Sequence, residues 1–138
     1  MTSRQRAFSL IELLIVVVVL GVLARIAYPM YQKQIIKGSR NSAQSQLLEL
    51  SNLQEKIFLN SNAYSPNIST AYTGLSSGGL GITSSTTYDA KYTLSVAPTV
   101  ASSSFTLSAV PVTGTTQEGD GTLSIDSTGK RLWGSASW

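Results

Sequence analysis

One stretch decides the fold of this chain: Arg6-Ala-Phe-Ser-Leu-Ile-Glu-Leu-Leu-Ile-Val-Val-Val-Val-Leu-Gly-Val-Leu23. A basic leader, residues 1–7, precedes Phe8, and the carboxylate of Glu12 interrupts the apolar run that follows. An unpaired carboxylate inside an apolar membrane helix costs about 2.5–3.5 kcal/mol on insertion scales. Because a leucine at this position would avoid that cost, we expect Glu12 to have a partner.

Two ordinary kinds of apolar segment fit this stretch less well. A secretory signal peptide has a basic start, about 7–15 apolar residues and a small-residue cleavage site, for which Val22-Leu-Ala24 would serve. Glu12, however, lies where such a peptide is purely apolar. A plain transmembrane anchor needs about 20 apolar residues, whereas the run from Phe8 to Ala24 has 17 and ends at Arg25.

Ala7-Phe-Ser-Leu-Ile-Glu12, followed by an apolar run, resembles the prepilin leader and amino-terminal helix of type IV pilins. In that family a membrane-embedded prepilin peptidase cuts before the apolar segment and methylates the new amino terminus. The resemblance places the cut between Ala7 and Phe8, so that Phe8 becomes the N-methylated first residue. The family usually has glycine before the cut, and Ala7 is a less common but accepted choice.

The resemblance also implies a partner for Glu12. Cleavage frees an α-amino group, whose unperturbed pKa is about 7.7–8.0, and in pilins this cation meets the glutamate of a neighbouring subunit. An ion pair is stronger in a low-dielectric filament than in water. We therefore expect the amine of Phe8 and the carboxylate of Glu12 to form the assembly contact that sets the register of each subunit.

Composition fits a small exported subunit better than an enzyme. The chain has 138 residues, enough for one domain, and its net charge of +3 lies mostly in the leader. The absence of Cys and His removes the common metal-ligand sets and most nucleophile–base pairs. Glu118, Asp120 and Asp126 occupy turn-like sequence, where carboxylates usually accept local backbone hydrogen bonds. We therefore predict no catalytic site, no metal and no cofactor.

A long helix is expected from Phe8 to about Leu59, spanning roughly 78 Å at 1.5 Å per residue. In its second half, apolar residues recur at intervals of three and four, which predicts one face packed on a sheet. These residues are Ala43, Leu47, Leu50, Leu53 and Ile57. We place the leader at 1–7, the membrane anchor and filament core at 8–30, and an exported head at 31–138.

Gly21 and Pro29 are the expected points of helix flexibility. Pro29 lacks an amide proton and clashes with the preceding turn, which predicts a kink or a loosened helix around Arg25. Gly21 costs about 1 kcal/mol relative to alanine. The resemblance implies more, because the matching segment of pilins melts in assembled filaments. Arg25 replaces the small apolar residue usual there, and either snorkels to the membrane surface or pairs with a carboxylate.

The rest of the chain contains short stretches in which apolar and polar residues alternate, a pattern typical of strands buried on one face. Residues 60–90 are rich in turn formers and predict a loop. Within 91–138, residues 91–97, 105–109 and 122–125 alternate apolar and polar side chains, and a turn at 126–129 leads into a fourth strand at 130–133. The predicted class is α+β: a long amino-terminal helix packed on an antiparallel sheet of about four strands, as in type IV pilins.

The carboxyl-terminal region most resembles minor pilins that prime or join the pilus. Those relatives close this region with a disulfide, and the corresponding positions here hold Asp120 and Ser137. Such a bridge over about 15 residues contributes about 3 kcal/mol in the chain-entropy model. We therefore expect a looser terminal loop, held by the packing of Trp133 and Trp138.

The resemblance implies a structural pilus subunit, first in the inner membrane as a single-pass protein and then in a pilus at the bacterial surface. Its implied partners are other pilin subunits, in a homo- or heteropolymer, the prepilin peptidase and the inner-membrane assembly platform. A pseudopilin of a type II secretion machine is the alternative. Motility, adhesion and DNA uptake are alternative roles, with surfaces or DNA as the further partners. Lys91, Lys130 and Arg131 are candidate contacts for DNA phosphates, but three scattered cations without aromatic residues between them favour ordinary solvated surface charge.

Overall fold

One long helix precedes five short strands in the computed structural model, which describes residues 9–98, 100 and 102–138. The leader, the cleavage position at Ala7 and Phe8 lie outside the described residues. The helix and strands are α1 (Leu10–Ser61), β1 (Tyr92–Ala97), β2 (Thr106–Pro111), β3 (Leu123–Asp126), β4 (Arg131–Trp133) and β5 (Ala136–Ser137). The chain divides into two units, Met1–Ile35 and Ile36–Trp138.

The first unit contains the apolar half of α1. The helix is continuous through Gly21 and Pro29, and every residue from 9 to 31 is exposed. An 18-residue window in α1 has a mean hydropathy of 2.7 with none of its residues buried. By length and composition this helix is able to cross a membrane.

The second half of α1 supplies the helix layer of the second unit. The predicted apolar face is confirmed for Ala43, Leu47, Leu50 and Ile57, which are buried, and Leu53 is partly buried. Gln46 and Gln54 are also buried on this face, which the apolar pattern did not predict. The burial follows from helical spacing, because residues three and four apart share one face.

The five strands form one antiparallel sheet in the order β1-β2-β3-β4-β5, so that each strand pairs with the next in sequence. Leu94, Ala109 and Leu123 lie in one row across the sheet, and Val96, Leu107 and Ile125 in another. These rows and the buried face of α1 belong to one hydrophobic core. The predicted α+β fold is therefore confirmed.

The sheet has one strand more than the four that the sequence indicated. β5 comprises only Ala136 and Ser137, which pair with Trp133 and Leu132 of β4. Gly134, with φ of 58°, makes the turn between them. Two residues are too few for an alternating pattern, so β5 exists through pairing with β4 rather than through its own sequence.

The segment between α1 and β1 has no strand longer than an isolated bridge among its described residues, as the turn formers predicted. It is nevertheless anchored to the core. The Gln54 side chain donates to the Ser65 carbonyl at 2.8 Å and accepts from the Ser65 amide at 2.9 Å. Tyr64 stacks on Phe58 and meets Phe105 edge to face. These contacts place the segment against α1.

Candidate functional site

Glu12 lies in the first turn of α1 and is exposed. Among the residues that the structure describes, the ion pair found joins Arg40 to Asp120, and the Glu12 carboxylate makes no side-chain bond. The positive end of the helix dipole favours a carboxylate in the first turn, but that effect does not replace a counter-ion in an apolar medium. The counter-charge expected for Glu12 therefore stays a prediction.

The residues around Glu12 form an apolar surface on all sides of α1. Leu10, Ile11 and Leu13 are 89%, 61% and 55% exposed. The exposure continues through Leu23 and Ile26 on every face of the helix. A helix that is hydrophobic all round is normally buried in a membrane or among other helices. We call residues 10–26 the apolar surface.

The second unit contains a polar cluster around Asp120, which we call the Asp120 cluster: Arg40, Tyr92, Gln117, Asp120 and Trp133. Arg40 Nε donates to Asp120 Oδ2 at 2.8 Å, and its second nitrogen pairs with Oδ1. Tyr92 donates its hydroxyl to Oδ2 at 2.5 Å. Gln117 donates to that hydroxyl at 2.7 Å and to the Ile36 carbonyl at 3.1 Å. The cluster thus ties α1 to β1 and to the turn before Gly121.

Trp133 completes the Asp120 cluster from β4. Its indole Nε1 donates to the backbone carbonyl of Asp120, and the Arg40 guanidinium lies 3.7 Å from its ring centroid. A cation over an indole face is attracted by the ring quadrupole. Gly121 allows this close approach, because a Cβ at that position would meet the indole and the residue has φ of 97°. The Trp133 ring therefore lies against Gly121 and Arg40, and Arg40 is a partner that the sequence did not indicate.

The charges in the Asp120 cluster stabilise one another. Burial alone raises the pKa of the Asp120 carboxyl, but hydrogen bonds from Arg40 and Tyr92 outweigh it and leave the pKa below its ordinary value. The bond to Asp120 raises the pKa of Arg40. Burial, together with the Asp120 carboxylate, raises the pKa of Tyr92 well above its usual range. The cluster is thus a neutral tyrosine beside a fully ionised pair at neutral pH.

Trp138 packs at the end of the chain, against the same core. Its Nε1 donates to the Leu132 carbonyl at 2.9 Å, and the Arg131 guanidinium lies 5.6 Å from its ring centroid. Both tryptophans are partly buried against the core. Their contribution to stability stays a prediction.

The three cations considered for DNA contact are not brought together. Lys130 and Arg131 are exposed neighbours at the start of β4, whereas Lys91 precedes β1. Three strand spacings separate β1 from β4, roughly 14 Å at about 4.8 Å each. Lys91 Nζ also donates to Thr116 at 2.9 Å. Only Lys130 and Arg131 form a local cationic pair.

Two of the three acidic residues in the carboxyl-terminal turns, Glu118 and Asp126, accept local hydrogen bonds as predicted. For Asp120 the prediction is wrong, because the side chains of Arg40 and Tyr92 reach its carboxylate from distant parts of the chain. Asp126 accepts from the amides of Thr128 and Lys130 at 2.9 and 3.1 Å, and the Thr128 hydroxyl bond lowers its pKa. Glu118 accepts from the Gly114 amide at 2.9 Å. Among the described residues, no group of His, Cys, Asp and Glu is placed to hold a metal ion.

Comparison with known proteins gives two family matches. A model described as "Type IV minor pilin ComP, DNA uptake sequence receptor" matches residues 29–124. A second, described as a prokaryotic N-terminal methylation motif, matches residues 2–28. The two matches adjoin at the boundary between the apolar part of α1 and the rest of the chain.

One curated relative is the type IV major pilin protein PilA of Myxococcus xanthus (strain DK1622). It is 39% identical over 62 residues, which make up 45% of this chain. The matched part covers only 28% of that relative's length.

Proposed function

Because this chain belongs to the family of the type IV minor pilin ComP, we propose that it is a minor subunit, held in the inner membrane by α1 before assembly. As a type IV pilin it is a structural subunit, not an enzyme, and it assembles with other pilin subunits. We further propose that the prepilin peptidase cleaves between Ala7 and Phe8 and methylates Phe8. The matched methylation motif supports this step.

The observation that carries the assembly proposal is the apolar surface of α1. Its side chains are about half or more exposed, although they include nine consecutive positions from Leu10 to Val18 with only Glu12 charged. Lipid covers such a surface in the membrane, and helices of neighbouring subunits cover it in a filament. One surface therefore serves both locations in turn.

Glu12 gives that packing its register. A carboxylate in an apolar environment is strongly disfavoured without a counter-charge. The α-amino group of Phe8 on a neighbouring subunit is the counter-charge that we propose. A subunit then enters the filament only where its Glu12 meets that amine, since other offsets leave both charges unpaired.

The test is replacement of Glu12 by valine, with filaments sheared from cells and membranes analysed separately. We expect Glu12→Val protein to accumulate in the membrane and to fall at least tenfold in the sheared filaments. Glu49→Val is the matched control, because it removes an exposed α1 carboxylate from the second unit. Normal amounts of Glu12→Val protein in filaments would refute the contact.

The same fractionation separates this proposal from the secretion pseudopilin alternative. A minor pilin appears in sheared filaments as a small fraction of the most abundant pilin. A dominant amount would make this chain a major subunit. Absence of this protein from sheared material, together with a secretion defect in cells that lack it, would support the pseudopilin alternative.

DNA uptake is the role that we propose ahead of motility and adhesion, because the matched family is described as a DNA uptake sequence receptor. The exposed pair Lys130 and Arg131 is the proposed phosphate contact, with the Trp138 ring beside Arg131. The second unit carries six basic and six acidic side chains. Affinity for DNA therefore depends on local placement of cations rather than on net charge.

The DNA proposal predicts a salt-dependent loss of affinity. We expect the Lys130→Gln/Arg131→Gln variant of the full chain to bind duplex DNA more weakly in fluorescence anisotropy. The slope of log K against log salt should decrease by about 0.9 for each phosphate that the variant no longer neutralises. Lys37→Gln/Lys56→Gln is the control with equal charge change. Equal weakening in both variants would assign the effect to charge alone and contradict the site.

A further inference from the structure

A cleft of about 430 Å³ lies between α1 and the segment that precedes β1. Gln46 of α1 lines it, together with Gly81, Ile82, Thr83, Ser84, Thr86, Thr87, Tyr88 and Ala90. We call this the Gln46 cleft. Its volume is within the range of about 300–1,000 Å³ that is typical of small-molecule sites. Neither the Asp120 cluster nor the cationic pair on β4 belongs to it.

Gln46 is the unusual residue of the cleft. It is 2% exposed, and neither its Nε2 nor its Oε1 has a hydrogen-bond partner among the residues that the structure describes. Buried polar side chains are normally hydrogen-bonded, so an unpaired amide indicates a missing partner. Gln54 lies eight residues further along the same face of α1. It is fully buried, and both its amide atoms are hydrogen-bonded to Ser65.

The loop side of the cleft is held in place by β1. The Thr87 amide donates to the Tyr92 carbonyl at 2.8 Å, and the Tyr92 amide donates to the Thr87 hydroxyl at 3.1 Å. The Leu94 amide donates to the Ser85 carbonyl at 2.7 Å. These bonds cover the free edge of the sheet, because β1 is its outermost strand. A cleft between a core helix and an anchored loop is largely formed before any ligand arrives.

The lining selects for a neutral, hydroxyl-rich ligand. No lining residue is charged, and Thr83, Ser84, Thr86 and Tyr88 supply hydroxyl groups. Asp89 lies between two lining residues, and hydrogen bonds from Thr87 and Ser39 outweigh burial and keep its pKa below the ordinary value. Its negative charge disfavours phosphate, which counts against a nucleotide.

Tyr88 adds an aromatic surface at the rim. It is 79% exposed although it lines the cleft, so its ring is available to a ligand. The C–H face of a pyranose ring is apolar and packs on such a ring, while its hydroxyls pair with amide and hydroxyl groups. A side-chain amide offers donors and an acceptor side by side, which suits adjacent sugar hydroxyls.

We propose that the Gln46 cleft binds one neutral sugar residue, with the Gln46 amide as its buried hydrogen-bonding group and the Tyr88 ring as its stacking surface. Both amide atoms of Gln46 are buried in the free protein. Binding therefore turns the flexible Gln46 side chain toward the sugar. The site goes beyond filament assembly and DNA uptake, and depends on neither.

The test observes the side-chain amides of Gln46 and Gln54 together by NMR. The full chain is prepared in lauryldimethylamine oxide, a detergent without a sugar head group, and titrated with galactose and N-acetylglucosamine. We expect the Gln46 side-chain amide, assigned by its loss in Gln46→Met, to shift saturably with at least one sugar. The Gln54 amide is the internal control and should not move.

Two variants separate binding from folding. Gln46→Met keeps the side-chain length and removes the amide, and we expect it to lose the saturation-transfer signal of the bound sugar. Tyr88→Ala alters an exposed ring and should weaken binding at least tenfold with an unchanged near-ultraviolet circular dichroism spectrum. If Gln46→Met does not fold, the saturation-transfer signal of the sugar with the parent chain and with Tyr88→Ala decides alone.

The outcomes distinguish the ligand classes. Binding of the free sugar but not of its methyl glycoside would identify the ligand as a soluble sugar. Binding of both would identify the ligand as the terminal residue of a glycan. Stronger binding of deoxyadenosine, or of the peptide-like N-acetylalanine methylamide, would overturn the proposal in favour of a base or a peptide. A Gln46 amide that no probe shifts would also overturn it, and would leave a cleft filled by water.

Discussion

At the residue scale, Asp120 forms an ion pair and a hydrogen bond at a position where related proteins have a cysteine. In the minor pilins that the sequence resembles, the corresponding position holds half of a disulfide. Here Asp120 accepts from Arg40, which is 80 residues away in sequence, and from Tyr92. The Asp120 cluster therefore crosslinks α1, β1 and β4 through charge and hydrogen bonds. Unlike a disulfide, this crosslink depends on pH.

The Asp120 cluster predicts pH-dependent stability. The carboxyl pKa is lower in the folded than in the unfolded chain, so its contribution is complete above the unfolded value of about 3.9 and is lost as pH falls through the folded value. We expect Asp120→Asn to lower the free energy of unfolding by about 1–3 kcal/mol at pH 7, the cost of breaking a partly buried bonded pair.

The measurement is urea unfolding of the full chain in detergent, at pH 7 and again below the unfolded carboxyl pKa of about 3.9. The difference in unfolding free energy between Asp120→Asn and the parent chain should be smaller at the lower pH, because the stabilisation from the ionised carboxyl is lost as pH falls. Glu49→Gln removes an exposed carboxylate and should have little effect at either pH. An equal difference in unfolding free energy at both pH values would mean that the charge of Asp120 does not contribute to stability.

Trp138 carries the second residue-scale prediction. Trp138→Ala removes a partly buried ring and the bond to the Leu132 carbonyl, and we expect the melting temperature to fall by several degrees. About 1 kcal/mol corresponds to roughly 4–8 °C for a domain of 60–100 residues. Trp138→Phe should recover most of the loss, since it keeps ring packing. Leu59→Ala, at an 83% exposed site, is the control.

At the scale of the element, α1 is one helix with two kinds of surface. Residues 10–26 are apolar on all sides and exposed, whereas the second half buries one face against the sheet. Gln46 and Gln54 both lie on that buried face. Within the described part of the chain, only the Gln54 amide of the two is hydrogen-bonded, because Ser65 contacts Gln54 and not Gln46. An element's sequence thus sets which face is buried, while its neighbours decide which polar groups are paired.

Pro29 carries the element-scale prediction. Without its amide hydrogen, the Arg25 carbonyl lacks the usual helical partner four residues on. We expect Pro29→Ala to slow hydrogen exchange of the amides in the adjoining turns, measured in the full chain in detergent micelles. Met30→Ala changes the next residue without restoring that bond and should leave exchange unchanged. Equal exchange in Pro29→Ala and the parent chain would contradict a flexible point here.

At the scale of the whole molecule, the two units are stabilised by different environments. The second unit has its own hydrophobic core of helix and sheet. The first unit is a helix with no buried residue from 9 to 31, so lipid or neighbouring subunits must cover it. This division fits the proposed two locations of the subunit, because the second unit is stabilised by its own contacts and the first unit by whatever surrounds it.

The sequence alone determined the features that depend on neighbouring residues along the chain. The apolar run with Glu12 predicted the membrane-capable helix and the family, and helical spacing predicted the buried positions of Leu47, Leu50 and Ile57. Alternation predicted three of the five strands, and the turn at 126–129 predicted the fourth. These patterns are readable because helix and strand periods place local residues on fixed faces.

Only the tertiary structure decided which distant residues meet. It joined Arg40 to Asp120, separated Lys91 from Arg131, and left Gln46 unpaired while Ser65 satisfied Gln54. It also formed β5, a strand of two residues that is too short for any sequence pattern. Pairing and burial of polar groups depend on chain segments brought together by folding, and no local periodicity encodes which segments those are.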